Sequence, residues 1–353
     1  MSAQNPTVSV IVPARNEEAC LGSCLESLVS QTGIAFEVIV VDDASTDRTA
    51  EIARSFSGVK VTSAPPLPEN WTGKNNAMAA GAKSATGKWL LFTDADTVHK
   101  PGSLARAVAE AEREGAALLS YSPEQEVRTF LEKAVMPVIF AELASRYPPS
   151  KVRDPNSPIA AANGQYLMIS REAYDAVGGY AKVASDLLED VAMARRVKSS
   201  GRKIWFRYGG DAVRTRMYRN WSQMKQGWTK NLALLFPKVG TLVLVRTAEF
   251  AGLTGMIAVF AAAWFTRQLT VAMLALWVVL VLSGNAWFRI RRARFSFQAS
   301  VLAFAGLPIF SFLLMRSAHA HRNRIVSWKD RSYRPADENA GFEKTPASDA
   351  EFK

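Results

Sequence analysis

The sequence predicts an α/β domain with a Rossmann-like core, followed by helices that enter a membrane. Short apolar strands alternate with helices over the first hundred or so residues, and several strands end in polar or acidic residues. Long apolar stretches without charges fill the last third of the chain. The strand–helix–strand rhythm predicts a parallel sheet with right-handed crossovers, whose carboxyl edge is where such sheets bind ligands.

The elements follow in a regular order at first. Strands are predicted at 8–12, 36–41, 59–63 and 88–92, with helices at 19–31, 48–55 and 74–85 between them. A helix at 102–114 and a strand at 117–122 come next, and then a helix at 130–147 broken near Pro137. The proline-rich loop 148–158 is expected to be mobile. A strand at 165–169 and helices at 171–177 and 191–199 complete residues 1–235.

Composition narrows the class of protein. With 353 residues, 48% of them hydrophobic, the chain is long and apolar enough to bury a core. The net charge of +11 could indicate a nucleic-acid partner, but residues 289–334 hold ten Lys and Arg against one acid, Asp330. The basic residues thus lie beside the apolar segments, which predicts that they anchor the protein against anionic lipid. No nucleic-acid partner is predicted. Cys20 and Cys24 are expected to be reduced packing residues.

Three apolar segments predict a membrane domain at 236–315. They cover 239–266, 268–288 and 295–315, and each is long enough to cross hydrocarbon. The N-terminal residues show no basic region followed by an apolar core, so no signal peptide is predicted and residues 1–235 are expected in the cytoplasm. Because Gly306 and Pro308 interrupt the third segment, we expect it to be re-entrant or interfacial, which leaves a basic tail at 316–334 on the cytoplasmic side. Residues 335–353 are expected to be disordered.

An acidic pair follows the fourth strand. The run Trp89-Leu-Leu-Phe-Thr-Asp94-Ala-Asp96 places two carboxylates at the carboxyl end of a buried strand. Hard oxygen ligands in such a crevice suit Mg²⁺ or Mn²⁺ carrying a diphosphate. The tripeptide is also common in turns and strand ends, so its neighbours in the chain must support the metal site.

Those neighbours make the sequence similar to family 2 glycosyltransferases with the A-type fold. The matching pieces occur in the family's order over residues 7–230. They are Val10-Ile-Val-Pro13 with Asn16-Glu17-Glu18, Val40-Val-Asp42-Asp43-Ala-Ser-Thr-Asp47, Gly73-Lys74, Asp94-Ala-Asp96, Gly178-Gly179-Tyr180, and Glu189-Asp190 with Arg195-Arg196.

The resemblance implies an inverting hexosyltransferase whose donor is a nucleotide sugar, with UDP as the expected nucleotide. It assigns Asp190 as the catalytic base and Asp96 with Asp94 as ligands of Mg²⁺ or Mn²⁺. The residues it places around the substrates are Pro13, Arg15, Asn16, Glu17, Asp42, Asp43, Lys74, Asp94, Gly164, Glu189, Gln226 and Trp228.

The residue types suit these roles. Asp42 and Asp43 can accept hydrogen bonds from a nucleobase and a ribose, because an ionised carboxylate is a pure acceptor. Lys74 can neutralise a diphosphate, and a carboxylate such as Asp190 can take a proton from an acceptor hydroxyl. Simpler alternatives are open: a solvated lysine, and acids that favour a helix N-terminus through its dipole.

The chain departs from the processive polymer synthases of the family. Their Gln-x-x-Arg-Trp motif would require an arginine where Gly227 precedes Trp228, and a glutamine where Met224 stands. Lys230, Arg214 or Arg216 are candidates for the missing positive charge.

Residues 68–74 and 227–231 resemble instead the subgroup that glycosylates terpenoid lipids such as carotenoids, together with hopanoid-associated members. The resemblance therefore favours transfer of one sugar to a membrane lipid. A polysaccharide synthase and a non-enzymatic, nucleotide-binding membrane scaffold are the alternatives, and the sequence leaves the oligomeric state open.

Overall fold

The computed structural model describes residues 6–323, 326–328 and 331–333. The expected order of strands and helices up to residue 92 is confirmed, with bounds that shift by a few residues. The segment 335–353 that was predicted to be disordered lies outside the described residues, as do residues 324–325, 329–330 and 334 of the basic tail.

A seven-stranded sheet forms the centre of the domain. Its strands are β1 Val8–Ala14, β2 Phe36–Asp42, β3 Val59–Ser63, β4 Trp89–Phe92, β6 Leu118–Ser122, β8 Leu167–Ser170 and β9 Ile204–Tyr208, in the order β3-β2-β1-β4-β8-β6-β9. The first four are parallel, as predicted. β8 is antiparallel to β4 and β6, a reversal of direction that the sequence pattern did not predict. The chain before β8 runs along the carboxyl edge of the first four strands and re-enters the sheet from that edge.

Helices cover both faces of the sheet because alternate strand residues point to opposite sides. Ile11 packs with Met78 on one face, and Val10 packs with Leu25 on the other. The helices of this domain are α1 Leu21–Val29, α2 Thr49–Arg54, α3 Gly73–Ser84, α4 Ser103–Glu114, α5 Phe130–Arg146, α6 Pro149–Arg153, α7 Arg171–Ala176, α8 Glu189–Ser199 and α9 Trp221–Leu235, with a 3₁₀ helix at Gly179–Val183.

Two details of this region differ from the expectation. α5 continues through Pro137 instead of breaking there. The loop expected to be mobile contains α6, which buries Val152 in the core beside α8.

A small three-stranded sheet lies beside the carboxyl edge of β4. It consists of β5 Thr97–His99, β7 Glu124–Gln125 and β10 Val213–Thr215, in the order β5-β10-β7. Thr97 Oγ1 donates a hydrogen bond to the Asp94 carbonyl at 2.8 Å, and Thr215 Oγ1 donates one to the Asp96 carbonyl at 3.1 Å. The small sheet thereby fixes the backbone of the acidic pair.

Three long apolar helices follow: α10 Val239–Phe265, α11 Leu269–Arg291 and α12 Phe297–Arg322. By length and composition, each could cross a membrane. They differ in burial. Within the most apolar 18 residues of each helix, 50% are buried in α12, 6% in α10 and 17% in α11.

α12 is continuous through Gly306 and Pro308, where an interruption was predicted. A Cβ at Gly306 would lie 1.9 Å from the carbonyl oxygen of Ala134, so the glycine allows α12 to lie directly against α5.

A cluster of four charges joins α10 and α11 to α5. Arg246 bonds Glu142 at 2.9 Å and Glu249 at 2.6 Å. Arg289 bonds the same two carboxylates at 2.5 and 2.6 Å. Because all four side chains are largely buried, each charge depends on the others for compensation.

The described part of the tail forms a hairpin of β11 Val326–Trp328 and β12 Arg331–Tyr333. β11 lies beside α9, so the hairpin rests on the same face of the molecule as the carboxyl edge of the sheet.

Candidate active site

A cleft of about 1300 Å³ opens at the carboxyl ends of β1, β2 and β4. One end is rich in acidic side chains, and the other is apolar and bordered by arginines. The acidic end is lined by Glu17, Asp43, Lys74, Asp94, Asp96, Gly164, Glu189 and Asp190. The apolar end is lined by Phe140, Leu143, Leu188, Leu235, Phe288, Arg291, Arg292 and Arg294.

The loop after β1 shapes one wall of the acidic end. Pro13 and Glu17 line the cleft, and Arg15 Nη1 donates to the Asp43 carbonyl at 2.7 Å. Asn16 is outside the lining, in a left-handed conformation with φ of 53°. Its Oδ1 accepts a bond from the Thr46 N–H at 2.9 Å, so Asn16 ties this loop to the turn after β2.

The two aspartates after β2 have different surroundings. Asp43 is 8% exposed and lines the cleft. Asp42 Oδ1 accepts a bond from the Ser45 N–H at 3.3 Å, and the side chain does not line the cleft. The predicted pair is thus split between a cleft carboxylate and a turn-forming one.

Lys74 lies at the centre of the acidic end. Its Nζ is 2.7 Å from Asp94 Oδ1 and 2.7 Å from Glu189 Oε1. Burial alone would lower the pKa of Lys74, but the two carboxylates outweigh burial and hold that pKa well above its ordinary value. The structure therefore joins the predicted Gly73-Lys74, Asp94 and Glu189 motifs into one ionic cluster.

Asp190 lies in the first turn of α8, next to this cluster. Its Oδ2 accepts a bond from the Gly164 N–H at 2.8 Å, and its Oδ1 accepts one from its neighbour Val191 at 2.8 Å. Burial raises the pKa of Asp190 to about 6, and the negative charge of Glu189 adds to the rise. Such a carboxylate is mostly ionised at neutral pH yet basic enough to accept a proton in a reaction.

Gly164 packs closely against this cluster. A Cβ at this position would lie 3.2 Å from Lys74 Nζ and 3.3 Å from Glu189 Oε1. The glycine leaves space for the cluster while its N–H holds Asp190.

α9 contributes differently from the expectation. Trp228 lines the cleft but is only 2% exposed, because it packs edge-on against Phe140 and Tyr218. Gln226 is exposed and lies outside the lining of the cleft. Side chains two apart on a helix project in different directions, so both cannot face one surface.

Of the three candidates for the missing positive charge, only Lys230 reaches the cleft. Arg214 pairs with Glu126 at 3.2 Å, and Arg216 pairs with Glu132 at 2.8 Å. Lys230 lines the cleft, and its burial lowers its pKa.

The acidic pair suits a divalent ion. The described residues contain no group of three or more His, Cys, Asp or Glu side chains that could hold a metal. Mg²⁺ and similar ions, however, are held in nucleotide sites by one or two carboxylates together with substrate phosphates. Asp96 and Asp94 line the cleft as hard oxygen donors and meet that requirement, with Asp94 shared with Lys74.

Among the cleft residues that were not predicted is an arginine of the C-terminal tail. Arg331 of β12 donates to both oxygens of Asp43, Nη2 to Oδ1 at 3.0 Å and Nη1 to Oδ2 at 2.5 Å. The basic stretch around Arg331 was predicted to contact lipid, and no local motif links residues 288 positions apart.

The fold is that of an A-type glycosyltransferase domain, with a cleft at the carboxyl edge of its sheet. Residues 9–178 match the family model described as Glycosyl transferase family 2. Residues 9–178 therefore carry a family 2 glycosyltransferase domain, as the motifs predicted, and the prediction of a glycosyltransferase enzyme is confirmed.

Its relatives extend the comparison over the apolar helices. The chain is 27% identical to the 4,4'-diaponeurosporenoate glycosyltransferase of Staphylococcus aureus over 348 residues, which cover 94% of this chain and 90% of the relative. The predicted resemblance to carotenoid-type glycosyltransferases is thereby confirmed. The structure also resembles a solved mannosyltransferase of Pyrobaculum calidifontis in complex with GDP-Man and Mn²⁺, with a TM-score of 0.50 and 18% sequence identity. The similar region covers 90% of this chain and 87% of the mannosyltransferase chain. That similarity shows the shared A-type fold.

Proposed function

We propose that the protein transfers a single sugar from a nucleotide sugar, with UDP as its nucleotide, to an isoprenoid membrane lipid such as a carotenoid or hopanoid. The observation that carries this proposal is the continuity of the cleft. Its acidic end is built from the family's motifs, and its apolar end is bordered by the end of α11. The Staphylococcus aureus relative is named for 4,4'-diaponeurosporenoate, which supports an acceptor of this class.

The acidic end would bind the donor. Asp43 would accept hydrogen bonds from the base and ribose, and Lys74 would contact the diphosphate. Asp96, with Asp94, would hold Mg²⁺ or Mn²⁺. When bound, that ion supplies charge neutralisation for the departing diphosphate. Asn16 and Asp42 would act indirectly, by shaping the loops that carry Arg15 and Asp43.

Asp190 would act as the general base. It takes the proton of an acceptor hydroxyl as the acceptor oxygen attacks the anomeric carbon. The bond between that carbon and the diphosphate oxygen breaks, and the nucleoside diphosphate leaves with the electron pair. A single displacement of this kind inverts the anomeric configuration. The N–H groups of Gly164 and Val191 orient the carboxylate, and Glu189 raises its basicity.

We also propose a multi-pass arrangement with the catalytic domain, residues 1–235, in the cytoplasm. The exposed apolar surfaces of α10 and α11 support a pair of crossings that returns the chain to its original side at the arginines of 289–294. Within the membrane domain 236–315, α12 would lie at the interface, since it packs on α5 and α9. The contact of Arg331 with Asp43 supports a basic tail, 316–334, on the cytoplasmic side.

Label transfer tests the proposed chemistry. Membranes that contain the wild-type protein should transfer label from a UDP-sugar into a chloroform-soluble product, and Asp96→Ala and Asp190→Ala should abolish the transfer. Asp175→Ala, which removes an exposed aspartate of α7, is the matched control and should retain activity. Full activity in Asp190→Ala would refute the assigned base. A water-soluble ladder of products would support the polysaccharide-synthase alternative.

A further inference from the structure

One face of α9 forms part of the cleft wall. Trp228, Asn231 and Leu235 line the cleft, and their spacing of three and four residues places them on the same side of the helix. The ring of Trp228 lies 6.3 Å from that of Phe140, measured between centroids. Because Phe140 and Leu235 belong to the apolar end of the cleft, this face of α9 borders that end.

The same stretch of α9 also lies close to the proposed base. Lys230 stands between Trp228 and Asn231 in the chain and lines the cleft. Burial lowers the pKa of Lys230, and the nearby charges of Glu189 and Asp190 oppose that effect. The face of α9 therefore reaches from the apolar end to the place where the proposed transfer occurs.

Contacts with α12 fix the backbone of α9 at this point. Thr229 Oγ1 accepts a hydrogen bond from Arg316 Nε at 3.1 Å, and the Thr229 carbonyl accepts one from Ser317 Oγ at 2.7 Å. These bonds hold the helix between Trp228 and Asn231. The two side chains are therefore presented to the cleft from a fixed position.

Two polar atoms on this face have no hydrogen-bond partner among the described residues. Trp228 is 2% exposed, and its indole Nε1 is buried without an acceptor. The Oδ1 atom of Asn231 is likewise buried without a donor. Buried polar groups in proteins are nearly always paired, because an unpaired one lowers stability. Two exceptions on one wall of a cleft therefore indicate a place where substrate supplies the partner.

The chemistry of the two atoms indicates which substrate group fits. An indole N–H can only donate a hydrogen bond, and an amide oxygen can only accept one. A hydroxyl does both, since it has one O–H and two lone pairs. In the proposed reaction, hydroxyls near Asp190 have two sources, which are the sugar being transferred and the lipid that accepts it.

We propose that Trp228 and Asn231 form a hydroxyl-binding pair, in which Trp228 Nε1 donates to a substrate hydroxyl and Asn231 Oδ1 accepts from it. A substrate without that hydroxyl would leave both buried atoms unpaired, so the pair would select against it. Asn231 is thereby a specificity-determining residue of the cleft. This inference rests on the proposed transfer of a sugar to a lipid.

Kinetics of the full-length protein in detergent, with the UDP-sugar and isoprenoid lipid that wild type uses, test the inference. Asn231→Leu removes the amide with little change in shape, and Trp228→Phe removes the N–H and keeps an aromatic ring. Each should lower kcat/KM for one of the two substrates about threefold to tenfold, the range for one hydrogen bond between neutral groups. Asn156→Leu, at an exposed asparagine outside the cleft, is the matched control and should behave as wild type.

Two measurements identify the source of the hydroxyl. If it belongs to the sugar, Asn231→Leu should raise the Kd for the UDP-sugar but not for UDP, and should weaken the preference for that sugar over one of its monodeoxy forms. If it belongs to the lipid, both Kd values should equal those of wild type, and the KM for the lipid should rise. Without substrate, Asn231→Leu should melt at the same temperature as wild type or higher, because leucine needs no hydrogen-bond partner.

The outcomes separate the inference from the function on which it rests. If wild type transfers sugar from no UDP-sugar, the proposed function is wrong and the inference falls with it. If wild type is active and Asn231→Leu keeps full kcat/KM for both substrates, only the inference is overturned. A lower melting temperature with unchanged Kd, KM and sugar preference would also overturn it, since Asn231 would then have a structural role. Asn231→Ala carries the test if the leucine variant fails to fold.

Discussion

Replacement of Asp190 by asparagine should separate catalysis from stability. The pKa of Asp190 is raised by burial and by Glu189, from 3.8 to about 6. Well below pH 3.8 the carboxyl is protonated in both folded and unfolded chains, so the raised pKa does not change the stability of the fold there. As pH rises toward 6, the unfolded chain releases its proton first and the folded state loses stability. The full cost is about 3 kcal/mol above pH 6 or so, since one pKa unit corresponds to about 1.4 kcal/mol.

The variant Asp190→Asn carries no charge and escapes this cost. It also loses one acceptor, because its amide NH₂ must face one of the two N–H donors, at a cost of about 1 kcal/mol that is independent of pH. About half of the ionisation cost has developed by pH 5. The stability of the variant relative to wild type should therefore increase by on the order of 1 kcal/mol between pH 5 and pH 8.

Chemical denaturation of the purified protein at pH 5, 6, 7 and 8 measures this difference. Asp175→Asn serves as the control, because it removes an exposed aspartate of the same domain. Sugar transfer by Asp190→Asn should be lost at every pH, whereas kcat/KM of wild type should rise toward pH 6 and then level off. A stability difference that is constant with pH, or that falls as pH rises, would refute the assigned burial and charge of Asp190.

Three further predictions concern packing, the buried charges and the metal. Gly306→Ala should destabilise the protein by about 1–3 kcal/mol through its clash with α5, whereas Gly255→Ala, with open space around it, should be neutral or stabilising in the same thermal unfolding assay. Glu142→Gln should lower the free energy of unfolding by about 3–5 kcal/mol, because it leaves buried arginine charge uncompensated. Addition of Arg289→Gln to this variant should restore part of that stability. If the two losses of stability simply add, the side chains do not form a shared network. Chelation should abolish sugar transfer, and added Mn²⁺ or Mg²⁺ should restore it in wild type. The Asp96→Asn variant should not regain transfer at the same metal concentration. Full activity in excess EDTA would exclude a metal requirement.

The acidic end of the cleft was largely predictable from the sequence. Each of its motifs follows a strand or begins a helix at the carboxyl edge of the sheet, and parallel strands bring those positions together whatever their distance in the chain. Asp94, Lys74 and Glu189 therefore meet in one cleft, and Asp190 lies beside them.

What escaped the sequence depends on tertiary packing. The contact of Arg331 with Asp43 requires the path of the chain through α10, α11 and α12, and no local pattern encodes that path. Gly306 and Pro308 predicted an interruption, because the sequence does not reveal that α12 lies against α5, where a glycine is needed for close approach.

The central claim is that one cleft joins a nucleotide sugar to a membrane lipid. The most direct measurement incubates the full-length protein, in membranes that contain isoprenoid lipids, with a panel of labelled nucleotide sugars, and then determines the mass of the extracted lipid product. We predict a chloroform-soluble product whose mass exceeds that of an isoprenoid lipid by a single hexose unit, formed from one nucleotide sugar of the panel and absent with Asp190→Asn. A product of many sugar units in the aqueous phase, or no transfer from any donor, would contradict the account.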